Sequence, residues 1–205
     1  LRSGALPVKV EIIETRTVGP TLGQDSKDKS AFAFAVGLGA VVVFMILFYH
    51  LSGFIADVAL MAYTILLLGI LYLMDATLTL PGVEGIILSI GMAVDANVLI
   101  FEHFKEEYRI HHKSLRLAMD AGFKRAFTTI FDSNVTTLIA AGVLFFLGTG
   151  TIRGFAITLG IGTILSMFTA ITLTQYLLKL MINAKLSESP WLYGASGFML
   201  GVKKG

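Results

Sequence analysis

Apolar residues in this chain run on without the one-sided stripe of a soluble helix. Uncharged stretches cover 30–56, 58–74, 133–152 and 154–178, and a further stretch, 85–101, is interrupted only by Asp95. Each contains an apolar part close to the ~17–25 residues that take a helix across a bilayer. The pattern predicts five transmembrane helices, over 31–49, 58–74, 83–101, 133–150 and 154–178. None alternates polar and apolar residues at period two, as a membrane barrel strand would. The expected fold is all-α, a polytopic membrane helix bundle.

The connections follow from the breaks in this pattern. In residues 1–29, Val8, Val10 and Ile12 alternate with Lys9 and Glu11, which predicts a short strand returning from another domain. Gly19-Pro20 and Gly23 are turn signals, and Ser30 is placed to cap the first helix. This segment is read as the returning end of a domain and a tether. A tight turn is expected at Ser52-Gly53 within 50–57, and Pro81 suits the start of the third helix. Residues 102–131 carry Lys105, Arg109, Lys113, Arg116, Lys124 and Arg125 against Glu102, Glu106, Glu107 and Asp120. Leu115, Ala118, Met119, Gly122 and Phe123 recur there at helical spacing. One or two amphipathic helices lying on the membrane surface are expected. The last hairpin turns at Gly148-Thr149-Gly150, and 179–205 form a tail.

Composition narrows the classes. Of 205 residues, 55% are hydrophobic and 15% charged, against roughly 25% charged in soluble domains. A water-soluble enzyme and a disordered chain are both excluded. A net charge of +2 makes no case for nucleic acid. The absence of cysteine removes disulfides, thiol nucleophiles and cysteine-based metal sites. The chain opens at Leu1 and reads as part of a longer protein. Lysine and arginine concentrate in 102–131 and in the tail, whereas Arg153 is the one basic residue of the opposite short loops. The positive-inside rule therefore places the tail in the cytoplasm and the N-terminus outside.

Asp95 is the main candidate for chemistry. A carboxylate inside a span costs a few kcal/mol on insertion scales, and such residues usually carry protons or ions. A static buried pair, or a side chain that reaches the water interface, is its other possible role. Gly91, one turn earlier, leaves room beside it for a helix or water. Asn97 lies roughly 200° round the helix and is expected to bond a different neighbour. On the fourth span Thr128, Asp132 and Thr136 follow at intervals of four, flanked by Ser133 and Thr137. That face calls for a polar partner or a water-filled groove. Hydrogen bonding between helices is the alternative, and Asp132 also suits a helix start. Thr158, Gly162, Ser166 and Ala170 repeat every four residues and form a packing face. Histidines show no metal-ligand spacing, and no nucleotide motif or nucleophile–base pair occurs. Neither an enzyme nor a bound cofactor is expected.

Three blocks carry a family resemblance. They are Leu1–Pro7 with Arg16–Gly23, then Gly91–Glu102 (Gly-Met-Ala-Val-Asp-Ala-Asn-Val-Leu-Ile-Phe-Glu), and Asp132–Ala140 with Gly148–Gly150 and Arg153–Ala156. Together they resemble the SecD subunit of the bacterial SecDF export complex, and they cover roughly 1–178. The resemblance implies a resistance–nodulation–division-like half-bundle that lacks its first helix, in the bacterial inner membrane. It implies work with SecF and the SecYEG channel on unfolded polypeptides, driven by the proton-motive force. Protons would be the coupling ion and Asp95 their carrier. Two departures stand out. His103 replaces the family's usual arginine, and Phe127-Thr128-Thr129-Ile130 contains no cation. A charged intramembrane partner for Asp95 would then come from another chain. A small-molecule or lipid exporter of the same superfamily and a non-conducting structural module of the translocon are the alternatives.

Overall fold

The computed structural model describes the backbone of residues 20–76, 79–111 and 114–183, with side chains of these from 28 to 182. The strand expected at 8–12 and the tail beyond 183 lie outside the described residues. The chain folds as α1 (Pro20–Leu73), α2 (Leu80–Arg109), α3 (Leu115–Leu147), α4 (Thr151–Phe168), a π-helical segment (Thr169–Thr174) and α5 (Gln175–Asn183).

The all-α expectation holds, but the count differs. Among the described residues four helices, not five, are long and apolar enough to cross a membrane: Asp28–Leu73, Leu80–Arg109, Leu115–Leu147 and Thr151–Ile182. The expected first two spans belong to one helical run of 54 residues. Straight, such a run would measure about 81 Å, more than twice the ~30 Å of a bilayer core. It is not straight. His50 leaves helical geometry at φ 52°, ψ −119°, in a region that side chains other than glycine rarely occupy. A methyl group on Gly53 would strike the Met45 carbonyl oxygen. Eight residues of straight helix would hold those positions about 12 Å apart, so the chain folds back at His50. The turn thus comes before Ser52-Gly53. Both residues are already in the second arm, where Gly53 supplies the room for close approach.

The start of α1 also departs from expectation. Helix begins at Pro20, whose ring presets φ and whose missing N–H is no loss in a first turn. Gly23 and Ser30 are therefore interior residues, and Ser30 caps nothing. Phe34, Leu38, Val41, Met45 and Tyr49 turn inward from the first arm. Phe32, Val36, Val43 and Leu47 are exposed on its other side, a face suited to lipid.

Helix α2 is the centre of the bundle, packed against α4, α3 and α1. Thr79 caps it by accepting the Gly82 N–H at 3.2 Å, with Pro81 in the first turn. Small residues set the helix spacing. Gly85 sits on the Thr158 side chain, and a Cβ on Gly162 would lie 2.5 Å from Ser89 Cβ. Near the end of the bundle that holds Arg109 and Leu115 a Cβ on Gly122 would come within 2.7 Å of the Phe104 backbone.

The surface helices expected over 102–131 are replaced by extensions of the spans themselves. Helix α2 continues to Arg109 and α3 starts at Leu115. The apolar stripe of Ala118, Met119, Gly122 and Phe123 is buried against the bundle's own helices rather than against lipid. Arg125 pairs with Glu106 at 3.1 Å and with Glu107 at 3.7 Å, tying the two extensions together. At the opposite end Gly150 has φ 47° and turns the α3–α4 hairpin. Arg153 Nε donates to the Gly148 carbonyl at 2.8 Å across that turn.

Candidate functional site

Asp95 opens sideways, not into the bundle core. Its neighbours Val94 and Ala96 are buried, while Asp95 itself is exposed. It lines a groove of about 130 Å³ between α2 and α3, with Met92, Ala96 and Leu99 on one wall. The other wall is Ile130, Ser133, Asn134 and Thr137. The α3 polar side chains are bonded to their own helix. Ser133 Oγ donates to the Ile130 carbonyl at 3.1 Å, Thr137 Oγ1 to the Ser133 carbonyl at 3.1 Å, and Asn134 Nδ2 to the Ile130 carbonyl at 2.7 Å.

Those internal bonds determine what the groove offers. A hydroxyl has one hydrogen and two lone pairs, so Ser133 and Thr137 keep acceptor capacity after donating backwards. With the Asp95 carboxylate opposite, the walls present mainly acceptors, the second Nδ2 hydrogen of Asn134 being the one donor left on the α3 side. Such a lining favours an incoming donor: water, a protonated group or a cation. Among the described residues no cation pairs with Asp95. Lys105, Arg125 and Lys179 pair instead with Glu102 at 3.0 Å, Glu106 at 3.1 Å and Asp120 at 3.0 Å.

The other residues expected from sequence fall in three places. Asp132 and Thr136 are exposed on a different face of α3 and do not line the groove. Thr136 Oγ1 donates to the Asp132 carbonyl at 3.0 Å. Gly91 faces open space, and a Cβ there would find nothing of the described residues within 4 Å. Asn97 points the other way, 4% exposed, and accepts a hydrogen bond from Thr174 Oγ1 at 2.9 Å. Ser166 and Ala170 are each 1% exposed within the bundle, and Gly162 meets Ser89 as described.

Two participants were not singled out from sequence. Asn134 is the residue after Ser133 and shares its turn with Thr137 on the groove side. Thr174 is one further step of four along the series Thr158, Gly162, Ser166, Ala170, so the signal for it was present.

Residues 3–184 match the family described as protein export membrane protein SecD/SecF, C-terminal. The chain is 60% identical over 205 residues to the protein translocase subunit SecD of Acidaminococcus fermentans, covering all of this chain and 49% of that one. It is 55% identical over 183 residues to the SecD subunit of Dictyoglomus turgidum, covering 89% and 46%. The chain therefore spans about half the length of these curated relatives. Among solved structures it resembles SecDF, a translocon-associated membrane protein from Thermus thermophilus, at 39% identity and TM-score 0.80, over 83% of this chain and 24% of that one. It also resembles SecDF in its super-membrane-facing form, at 40% identity and TM-score 0.77, over 90% and 25%.

Proposed function

Because the chain belongs to the SecD/SecF C-terminal family of protein export membrane proteins, we propose that it is the membrane half of a SecD-type translocase subunit that carries protons at Asp95. The chain is a multi-pass membrane protein. In this reading it works beside SecF and the SecYEG channel in the bacterial inner membrane, and its clients are unfolded polypeptides. Protons serve as the coupling ion, and no other cofactor takes part.

The observation that supports it is the lateral groove. A carboxylate in a span, open to one side and facing mainly acceptors, is placed to meet a second bundle and the water or cation that bundle brings. Protonation removes its charge, and with it the attraction for a donor across the groove. A change of charge biases packing only where two arrangements interact differently with it, and an open subunit face provides such a difference. Asp132, on another face, has no part in this step.

The bent run from Pro20 to Leu73 crosses the membrane twice in this reading, which makes five crossings. The N-terminal side, with 1–29 returning from an outer domain, is outside. The extensions around Arg109 and Arg116 and the tail 179–205 are cytoplasmic.

The test is Asp95→Asn in the full-length subunit, assembled with its partner in membrane vesicles that export a reporter protein. The expected result is normal assembly and loss of the proton-gradient-dependent part of export. Full gradient dependence in the variant overturns the reading. So does failure to assemble, which would mark Asp95 as a static structural residue.

A further inference from the structure

The hydrogen bond between Thr174 and Asn97 joins the last span to the helix that carries Asp95. It is buried from both sides, with Thr174 fully inaccessible and Asn97 4% exposed. Thr174 Oγ1 has one hydrogen. It lies 2.9 Å from Asn97 Oδ1 and 3.4 Å from the Thr169 carbonyl, so the bond to the neighbouring helix is the better one.

The backbone has to be unusual for Thr174 to be there. In a regular α-helix each step of four residues drifts about 40° round the axis. Four such steps, from Thr158 to Thr174, would carry the last residue well away from the face of the first. The π-helical segment Thr169–Thr174 holds more residues per turn and reverses this drift. Thr174 is thereby kept on the buried side with Thr158, Ser166 and Ala170. Single π turns inside α-helices frequently occur at functional sites. Here the irregularity has a local use, since it delivers one hydroxyl to Asn97. The segment also borders an open cleft of about 220 Å³, lined in part by Ile171, Gln175, Ile100 and Ile130. Ile130 is shared with the Asp95 groove.

Asn97 and Asp95 project from nearly opposite sides of α2. A rotation of α2 that turned Asp95 along the groove would pull Asn97 off Thr174. We propose that Asn97 and Thr174 are a positioning pair that sets the rotation of α2, and so the direction in which Asp95 faces its groove. The proposal rests on the proton-carrying role of Asp95 for its importance, though not for its geometry.

The experiment uses the full-length subunit with its partner in membranes. N,N′-dicyclohexylcarbodiimide, an apolar reagent for protonated carboxyls, is applied across a pH series, and modification of the Asp95 peptide is followed by mass spectrometry. Thr174→Val keeps the shape of the side chain and removes the donor. It is expected to change the rate of Asp95 modification by about three- to tenfold and to displace its pH profile. Thr174→Ser, which retains the hydroxyl, is expected to restore the wild-type profile. Asn97→Ala lets Thr174 fall back on the Thr169 carbonyl, buries no orphan amide, and is expected to match Thr174→Val. It stands in if the valine variant does not assemble. A wild-type profile in both variants overturns the proposal. So does a serine variant no better than valine, which would mean packing alone. If Asp95→Asn keeps gradient-driven export while these profiles shift, the functional reading fails and the positioning pair stands.

Discussion

Tyr63 donates its hydroxyl hydrogen to Ser89 Oγ at 2.8 Å, and Ser89 passes its own to the Ile86 carbonyl at 2.8 Å. This relay, fully buried at both side chains, fastens the second arm of α1 to α2 two turns before Asp95. The residue facing it on α4 is Gly162, where a Cβ would lie 2.5 Å from Ser89 Cβ and 3.0 Å from the Tyr63 hydroxyl. The two sides of this contact should respond differently to mutation. Tyr63→Phe leaves Ser89 its bond to Ile86 and should cost about 1 kcal/mol. Gly162→Ala overpacks against a short, stiff side chain and should cost about 1–3 kcal/mol. Thermal unfolding of the purified protein in detergent orders the two variants; an alanine variant milder than the phenylalanine one would refute the packing argument.

At the end of the bundle where α2 meets α3, Gly122 meets backbone, not side chain, at Phe104. Backbone cannot rotate aside. Gly122→Ala should therefore part the α2 and α3 extensions and destabilise by about 1–3 kcal/mol. Arg125→Gln removes the half-exposed pair with Glu106 and also the longer contact with buried Glu107, and should destabilise by about 1–3 kcal/mol. Protease sensitivity between Arg109 and Leu115, together with melting temperature, checks both.

The groove assigns different weights to adjacent residues of α3. Ser133→Ala combined with Thr137→Val strips the acceptors facing Asp95 and should lower gradient-driven export about three- to tenfold. Asp132→Asn, on another face, should stay within about twofold of wild type. Export assays in vesicles compare them at equal protein level. Equal damage from both would show that the groove is not the working face.

Topology can be read directly, because the chain has no cysteine of its own. Single cysteines at Lys29, Asp75 and Thr149 should all react with a membrane-impermeant maleimide added from outside intact cells. A cysteine at Arg116 should react only after the cells are opened. If α1 crossed once, Lys29 and Asp75 would label from opposite sides.

The helices were legible from hydropathy because burial in lipid requires long uncharged runs with every backbone group bonded internally. Asp95 was legible for the converse reason: one charge in such a run is conspicuous. The ends of helices were less legible. Ser30 is a good capping residue and Ser52-Gly53 a good turn, yet Pro20 and His50 hold those places. Local preference there amounts to about 1 kcal/mol, which packing of the arms against α2 can override. The amphipathic stretch 102–131 was correctly periodic, but periodicity alone does not say whether its apolar face meets lipid or protein. Burial of Ala118 and Phe123 decides for protein.

By itself, then, the sequence determined a membrane-embedded helical chain, its family and the carboxylate that interrupts its third apolar run, since each of these depends on residue identity and one-dimensional spacing. Only the tertiary structure decided which neighbours Asp95 has. Ser133 and Thr137 face it while Asp132 and Thr136 do not, a distinction of one residue that depends on how α3 is rotated against α2. Asn97 found Thr174, 77 positions along the chain, through a π-helical turn that no local propensity announces. Rotation and register between helices arise from many small contacts summed across the bundle, and those contacts exist only once the chain has folded.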